Sequence, residues 1–192
     1  DQSLQRMHLD YVDLFYSHRY DPETPVEETL QALVDIVRSG KALYIGLSNW
    51  PLEPARFAFK YLRERDVPCL IYQGKLNRLY QNPMEEGILS LCHEEGVGFI
   101  AFSPLAQGLL TDRYLNGIPA GSRMTQNRFL KEEMLTDELL ANLRQWNAEA
   151  QEQGMTLAEK SLRWILQQQG VTSVLVGASS VRQLECNLRC AR

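Results

Sequence analysis

Tyr11-Val12-Asp13-Leu14-Phe15-Tyr16 is a strand-like apolar run that ends in Ser17-His18-Arg19, and this arrangement recurs along the chain. Ala42 to Leu47 runs into Ser48-Asn49, and Cys69 to Tyr72 runs into Gln73. Val97 to Phe102 runs into Ser103-Pro104-Leu105-Ala106-Gln107-Gly108, and Val174-Leu175-Val176 into Gly177-Ala178-Ser179-Ser180. Helical periodicity fills the intervals: Val26, Leu30, Leu33, Val34 and Val37 share one face, as do Phe57, Tyr61 and Leu62. The early spacings, roughly 30 residues from strand to strand, are those of βα units. Runs that are nearly all apolar predict a parallel sheet covered on both faces. If the five runs are parallel strands of one barrel, the five polar clusters share the face on which βα loops build active sites. The pattern therefore predicts an enzyme.

Local punctuation supports the alternation. Thr24-Pro25-Val26-Glu27 reads as a capping box with Pro at the first helical position, and Gly40 stands where a helix-ending glycine belongs. Asn82-Pro83-Met84-Glu85 reads as the cap of a helix carrying Ile88, Leu89 and Leu91. Two further helices are expected over about 136–153 and 156–169, the second opened by the capping box Thr156-x-x-Glu159. The stretch from Thr111 to Leu130, rich in Gly, Pro, Asn and Arg, reads as an ordered excursion over the barrel mouth. No low-complexity linker interrupts the chain, so residues 1–192 are expected to form a single domain. Both ends read as cut within helical patterns, at Ser3 to Leu9 and at Val181-x-x-Leu184-x-x-x-Leu188, which makes that domain a partial one.

Composition narrows the function. A net charge of −4 provides no basic patch, so neither nucleic acid nor an anionic membrane surface is an expected partner. No apolar run approaches the roughly 20 residues of a membrane helix. Cys69, Cys92, Cys186 and Cys190 show no CxxC spacing, which favours buried fillers over disulfides or metal ligands and makes a cytoplasmic location the expectation. No metal site is expected, and self-association is left open.

Among groups that could carry chemistry, His18 stands first, at a strand end with Arg19 and Asp21 behind it. A ring bonded to a backbone carbonyl would explain it equally well. Ser48, Asn49 and Gln73 could supply amide donors and acceptors, although Ser and Asn also serve ordinary turns. The Gln73 amide, at the end of Leu70-Ile71-Tyr72, needs a partner. In 103–108, Pro stops helix growth and Gly permits the close backbone approach that a loop around phosphates requires. Phe102 offers a flat face for a heteroaromatic ring. Gly177 to Ser180 opens the last helix, a place suited to anions. Ser180-x-x-Gln183 also fits a capping box, so cap and ligand contact both stand for Gln183. Arg182 opposes the helix dipole in the first turn, a misfit that a facing phosphate would explain.

These residues, in this order, resemble the aldo-keto reductases, in the branch of bacterial glyceraldehyde-3-phosphate reductase-like enzymes and potassium-channel β subunits. Asp10 to Arg19, Gly40 to Ser48, Phe102 to Gly108 and Val176 to Ser179 carry the resemblance, which covers essentially the whole chain. It implies a (β/α)8 TIM barrel of which this chain supplies strands four to eight. It also implies an NADP-dependent oxidoreductase that reduces a small aldehyde or ketone, such as a glyceraldehyde 3-phosphate-like substrate, to an alcohol. In that family a Tyr protonates the carbonyl, a Lys and an Asp tune the Tyr, and a His orients the carbonyl. His18 alone has that correspondence here, so residues 1–192 by themselves are expected to be inactive. The resemblance further implies that Ser48, Asn49 and Gln73 hold the nicotinamide carboxamide and that Phe102 lies beside its ring. Ser103, Pro104, Leu105, Ala106 and Gln107 would wrap the pyrophosphate of NADP(H). Arg113 and Arg123 match the loop folding over the cofactor, and Gly177, Ser179, Gln183 and Asn187 match the adenosine contacts. Cys186 replaces the Glu usual before that Asn. The channel β subunits have Asn at position 18, so His18 favours a reductase over a cofactor-sensing regulatory subunit. An inactive half-barrel is the third reading.

Overall fold

The computed structural model describes residues 1–122, 124–125 and 130–191. In chain order the elements are α1 (Gln2–Met7), β1 (Val12–Ser17), α2 (Val26–Arg38), β2 (Ala42–Ser48), α3 (Leu52–Arg63) and β3 (Cys69–Lys75). Then come α4 (Asn82–Glu85), α5 (Ile88–Glu94), β4 (Gly98–Phe102), α6 (Asp137–Glu152), α7 (Leu157–Leu166), β5 (Val171–Val174) and α8 (Val181–Leu188), with short 3₁₀ turns among them. The strands form one five-stranded sheet in the order β1-β2-β3-β4-β5. Sequential order is what repeated right-handed βα crossovers produce, and it is the arrangement of the α/β barrel class. Among the described residues, no helix is long and apolar enough to cross a membrane.

By compactness the chain divides into two units. The first comprises residues 1–74, 82–100 and 169–172. Its centre is β2, where Ile45, Gly46, Leu47 and Ser48 are all buried, as expected of a strand covered on both faces. On one side α2 buries Leu30, Leu33 and Val34 and packs against β2 and α3. The α3 face of Ala55, Ala58, Phe59 and Leu62 repeats the helical period. Across β1 and β2, Tyr16 pairs with Gly46. A Cβ on Gly46 would lie 2.6 Å from Tyr16 Cε1, so the glycine is there to seat a ring. Gly74 does the same for Phe99, which stacks on Tyr72 at 5.8 Å.

The second unit comprises residues 75–81, 101–168 and 173–192. It contains the excursion after Thr111, which folds around its own apolar groups. Leu109, Tyr114, Met124 and Leu130 form one buried cluster. Leu110 and Leu115 meet Leu143 of α6 and Leu157 of α7 in another. Polar contacts lock these parts: Arg144 Nε donates to the Leu115 carbonyl at 3.0 Å, and Lys160 pairs with Glu149 at 3.0 Å.

Several local expectations need correction. The box at Thr24 does not form, because the Thr24 hydroxyl donates instead to Asp21 Oδ2 at 2.8 Å and α2 starts after Pro25 without a side-chain cap. The helix expected from Asn82 is two pieces, broken at Gly87, whose φ of +86° no helix accommodates. The last strand lies at Val171–Val174 rather than at 174–176, although the Leu175 N–H still reaches the Ala101 carbonyl at 2.8 Å. At Thr156 the capping box is complete.

The Tyr16–Gly46 seat yields a test. Gly46→Ala should destabilise the intact protein by about 1–3 kcal/mol through overpacking. In a Tyr16→Ala background the same change should cost far less, as chemical denaturation of the four proteins will measure.

Candidate active site

The polar clusters singled out in the sequence lie at or just beyond the C-terminal ends of their strands, Gln73 being two residues short of the end of β3, and the two units each hold part of the set. In the first unit, Ser17 closes β1 and His18 follows it, exposed, its imidazole making no hydrogen bond to any described residue. The structure therefore does not give His18 the ring-to-carbonyl bond that would have accounted for it. The loop behind it is set by Asp21, whose carboxylate accepts from the Glu23 N–H at 3.0 Å and from the Thr24 hydroxyl. Those bonds, the Thr24 hydroxyl first, hold the Asp21 carboxyl below its ordinary range.

Ser48, at 2% exposure, closes β2 and pairs in register with Gln73 of β3. Asn49 turns the chain with φ +56°, a conformation Asn tolerates better than most residues. Its Nδ2 donates to Ser48 Oγ at 2.9 Å and, at 3.5 Å, to the His18 carbonyl. The Gln73 side chain is half-buried and makes no hydrogen bond among the described residues. His18, Ser48, Asn49 and Gln73 thus come together at the ends of β1, β2 and β3. A further group joins them. Trp50, at 2% exposure, donates its indole N–H to Ser17 Oγ at 3.2 Å, and its carbonyl accepts from the Tyr72 hydroxyl at 2.7 Å. Nothing in the sequence signals these bonds, because a Trp in a turn says nothing about its partners.

In the second unit, Phe102 is half-buried at the end of β4, and Ser103 takes φ +52°. Ala106, Gln107 and Gly108 follow in the same left-handed region, at +46°, +59° and +103°. Non-glycine residues held there cost of order 1 kcal/mol or more each, so the surroundings must impose the shape. Asn77 does so. Fully buried, it donates Nδ2 to the Ser103 carbonyl at 2.9 Å and accepts the Leu79 N–H at Oδ1, while its backbone N–H and carbonyl both bond Tyr80. The same Ser103 carbonyl accepts the Ala106 N–H at 3.0 Å, and the Leu105 carbonyl accepts those of Gly108 and Leu110. With the carbonyls so engaged, the Leu105 N–H has no acceptor among the described residues. Pro104 is buried beneath the loop. The loop is thus held by its own backbone bonds, with the N–H groups of Ala106, Gly108, Leu109 and Leu110 all engaged within it.

Also in this unit, Ser180 caps α8 by accepting the Gln183 N–H at 3.2 Å. Gln183 does not close the expected box on Ser180. Its Oε1 accepts from Ser179 N–H and Ser179 Oγ, at 2.9 and 2.8 Å. Gly177 and Arg182 are exposed, and Arg182 forms no ion pair among the described residues. Asn187 is buried and Cys186 partly so. Arg113 is exposed beside Thr111, which accepts its backbone N–H; Arg123 lies outside the described residues. Burial pushes the Cys69 and Cys92 thiols up to about 12.

Two outcomes follow from this geometry. Asn77→Ala should cost about 1–3 kcal/mol by depriving the Ser103 carbonyl of a donor and leaving the Leu79 N–H unpaired. It should also make 103–108 the first site of limited proteolysis. Thiol titration at pH 8 should find Cys186 modified in the native protein, Cys190 more slowly because partial burial pushes its thiol up, and Cys69 and Cys92 only after denaturation.

The comparisons with known proteins agree with this architecture. The aldo/keto reductase family model matches residues 1–192. The L-glyceraldehyde 3-phosphate reductase of Escherichia coli K12 is 49% identical over 193 residues, covering 98% of this chain and 56% of that protein. The enzyme of the same name from Escherichia coli O157:H7 matches to the same extent. Among solved structures, the thermostable aldo-keto reductase Tm1743, crystallised with the inhibitor epalrestat, superimposes with a TM-score of 0.74 at 28% identity. That match covers 98% of this chain and 57% of the other. The chain thus spans little more than half the length of the relatives it matches. A family model covering every residue, joined to a parallel α/β sheet with its polar groups at the strand ends, establishes that this chain belongs to the aldo/keto reductase family.

Proposed function

We propose that the protein of which residues 1–192 are part reduces a small aldehyde or ketone to an alcohol, with NADPH as the hydride donor. The observation that carries this reading is the imidazole of His18, unengaged among the described residues, set beside the buried Ser48 hydroxyl and the half-buried amides of Asn49 and Gln73. A histidine at such a place is free to donate its N–H to a carbonyl oxygen, orienting it and stabilising the negative charge that develops there. The cofactor, when bound, supplies the hydride. On the chain's side, Ser48, Asn49 and Gln73 would hold the nicotinamide carboxamide, and Phe102 would face its ring. The Ser103–Gln107 loop would wrap the pyrophosphate, with the Leu105 N–H donating to it and Pro104 and Ala106 excluding water around it. Ser179, Arg182, Gln183 and Asn187 would take the adenosine end, where the Arg182 cation suits an added 2′-phosphate. Gly177 leaves room for the backbone there, and Arg113 and Arg123 would close over the phosphates.

A phosphorylated three-carbon aldehyde is the substrate class this reading favours, on the strength of the reductases that resemble the chain at 49% identity. Proton delivery belongs in the family resemblance to a Tyr with no counterpart in residues 1–192, so residues 1–192 alone should not turn over.

In the whole protein, His18→Ala should lower kcat for a small aldehyde about 10²-fold, as loss of an oxyanion donor does, with NADPH affinity nearly intact. Unchanged turnover would instead support a cofactor-sensing role. Arg182→Glu should remove the preference for NADPH over NADH, read by quenching of protein fluorescence; equal affinity of the parent protein for both cofactors would dismiss the assignment of Arg182.

A further inference from the structure

Three of the site segments in the first unit meet at one residue, through its side chain and its backbone carbonyl, that carbonyl reduction as proposed does not use. Trp50 is two residues beyond the end of β2 and next to Asn49. Its indole N–H bonds Ser17 Oγ at 3.2 Å, and Ser17 is the residue before His18. Its carbonyl takes the Tyr72 hydroxyl at 2.7 Å, and Tyr72 is the residue before Gln73. Its ring also meets that of Tyr20, behind His18, edge-on at 5.2 Å. Trp50 therefore touches chain neighbours of His18, Asn49 and Gln73 at once, and it does so from a buried position. A bulky aromatic could fill this space without a donor. The indole N–H adds a directional bond, which fixes the end of β1 relative to the turn after β2 rather than merely packing against it.

We propose that Trp50 is a positioning residue for carbonyl reduction, acting through Ser17 to hold His18 in line with the Ser48, Asn49 and Gln73 groups. The inference rests on the reductase reading and adds to it a residue whose role is geometric. A group held about 1 Å out of place can cost a large factor in rate while binding is little changed, so the signature is a loss in kcat without a matching loss of cofactor affinity.

The experiment uses the intact protein, with Trp50→Phe, Ser17→Ala, His18→Ala and the combinations of each of the first two with His18→Ala. Trp50→Phe keeps most of the ring and removes the N–H. Ser17→Ala removes the same bond from the other side, and it serves alone should Trp50→Phe fail to fold. Each should lower kcat for a small aldehyde roughly five- to tenfold while Kd for NADPH stays within about twofold. In the His18→Ala background neither should lower kcat further, because coupled residues lose their separate effects. Without cofactor, the Trp50 indole N–H resonance should be protected from solvent exchange in the parent protein and lose that protection in Ser17→Ala. An active parent whose Trp50→Phe and Ser17→Ala variants keep kcat, or lose it equally with His18 absent, overturns the inference and leaves the reductase reading standing. A parent protein that reduces no aldehyde overturns the reductase reading, and this inference with it.

Discussion

Parallel strands cannot be joined by a tight turn, and this constraint shapes everything else in the molecule. Each strand must end, cross over through a helix and begin again at the same side of the sheet. Strands covered by helices must be apolar on both faces, as the run from Ile45 to Leu47 is. Polar groups are thereby driven off the strand interiors and collected at the ends. Ser17 and Ser48 are the last residues of β1 and β2, and Gln73 lies two residues before the end of β3. The chemistry of the protein is placed by what its core excludes.

At those ends the backbone must also be satisfied without regular structure. In the first unit the solution is a short network: Asn49 to Ser48 and the His18 carbonyl, Trp50 to Ser17, Tyr72 to Trp50. In the second it is Asn77, a fully buried amide that spends its oxygen on Leu79 and its nitrogen on Ser103. Both networks are made of neutral groups. Neutral bonds hold the geometry without the desolvation cost of buried charge. They also leave His18 and Arg182 unengaged among the described residues.

Two of the glycines within strands, Gly46 and Gly74, show the same economy in packing. Each sits opposite an aromatic ring that would collide with any side chain there. Their presence leaves the rings of Tyr16 and Phe99 flat against the sheet, where they fill the volume that two ordinary side chains would have shared. The free conformation of glycine is not what these sites require; they require the absence of a Cβ.

The sequence by itself determined the alternation of strand and helix, the strand count, and the residues at most strand ends. Those features follow from local periodicity and turn signals, although Leu43 and Tyr44 in the run from Ala42 to Leu47 are exposed, at 51% and 46%, where the pattern predicts both faces covered. The capping box at Thr156 was legible for the same reason, being settled within one turn of helix. Where a residue had two polar partners within reach, sequence could not choose. Thr24 went to Asp21 rather than to its helix, and the Gln183 side chain went to Ser179 while only its backbone N–H bonds Ser180. The break at Gly87 and the end of β5 before Leu175 were equally hidden, because a glycine or an apolar residue is compatible with several backbones. Only tertiary structure decided that Trp50 and Asn77 hold the site segments. Their partners lie 33 and 26 residues away, and a hydrogen bond across such a distance exists only after the strands between have paired.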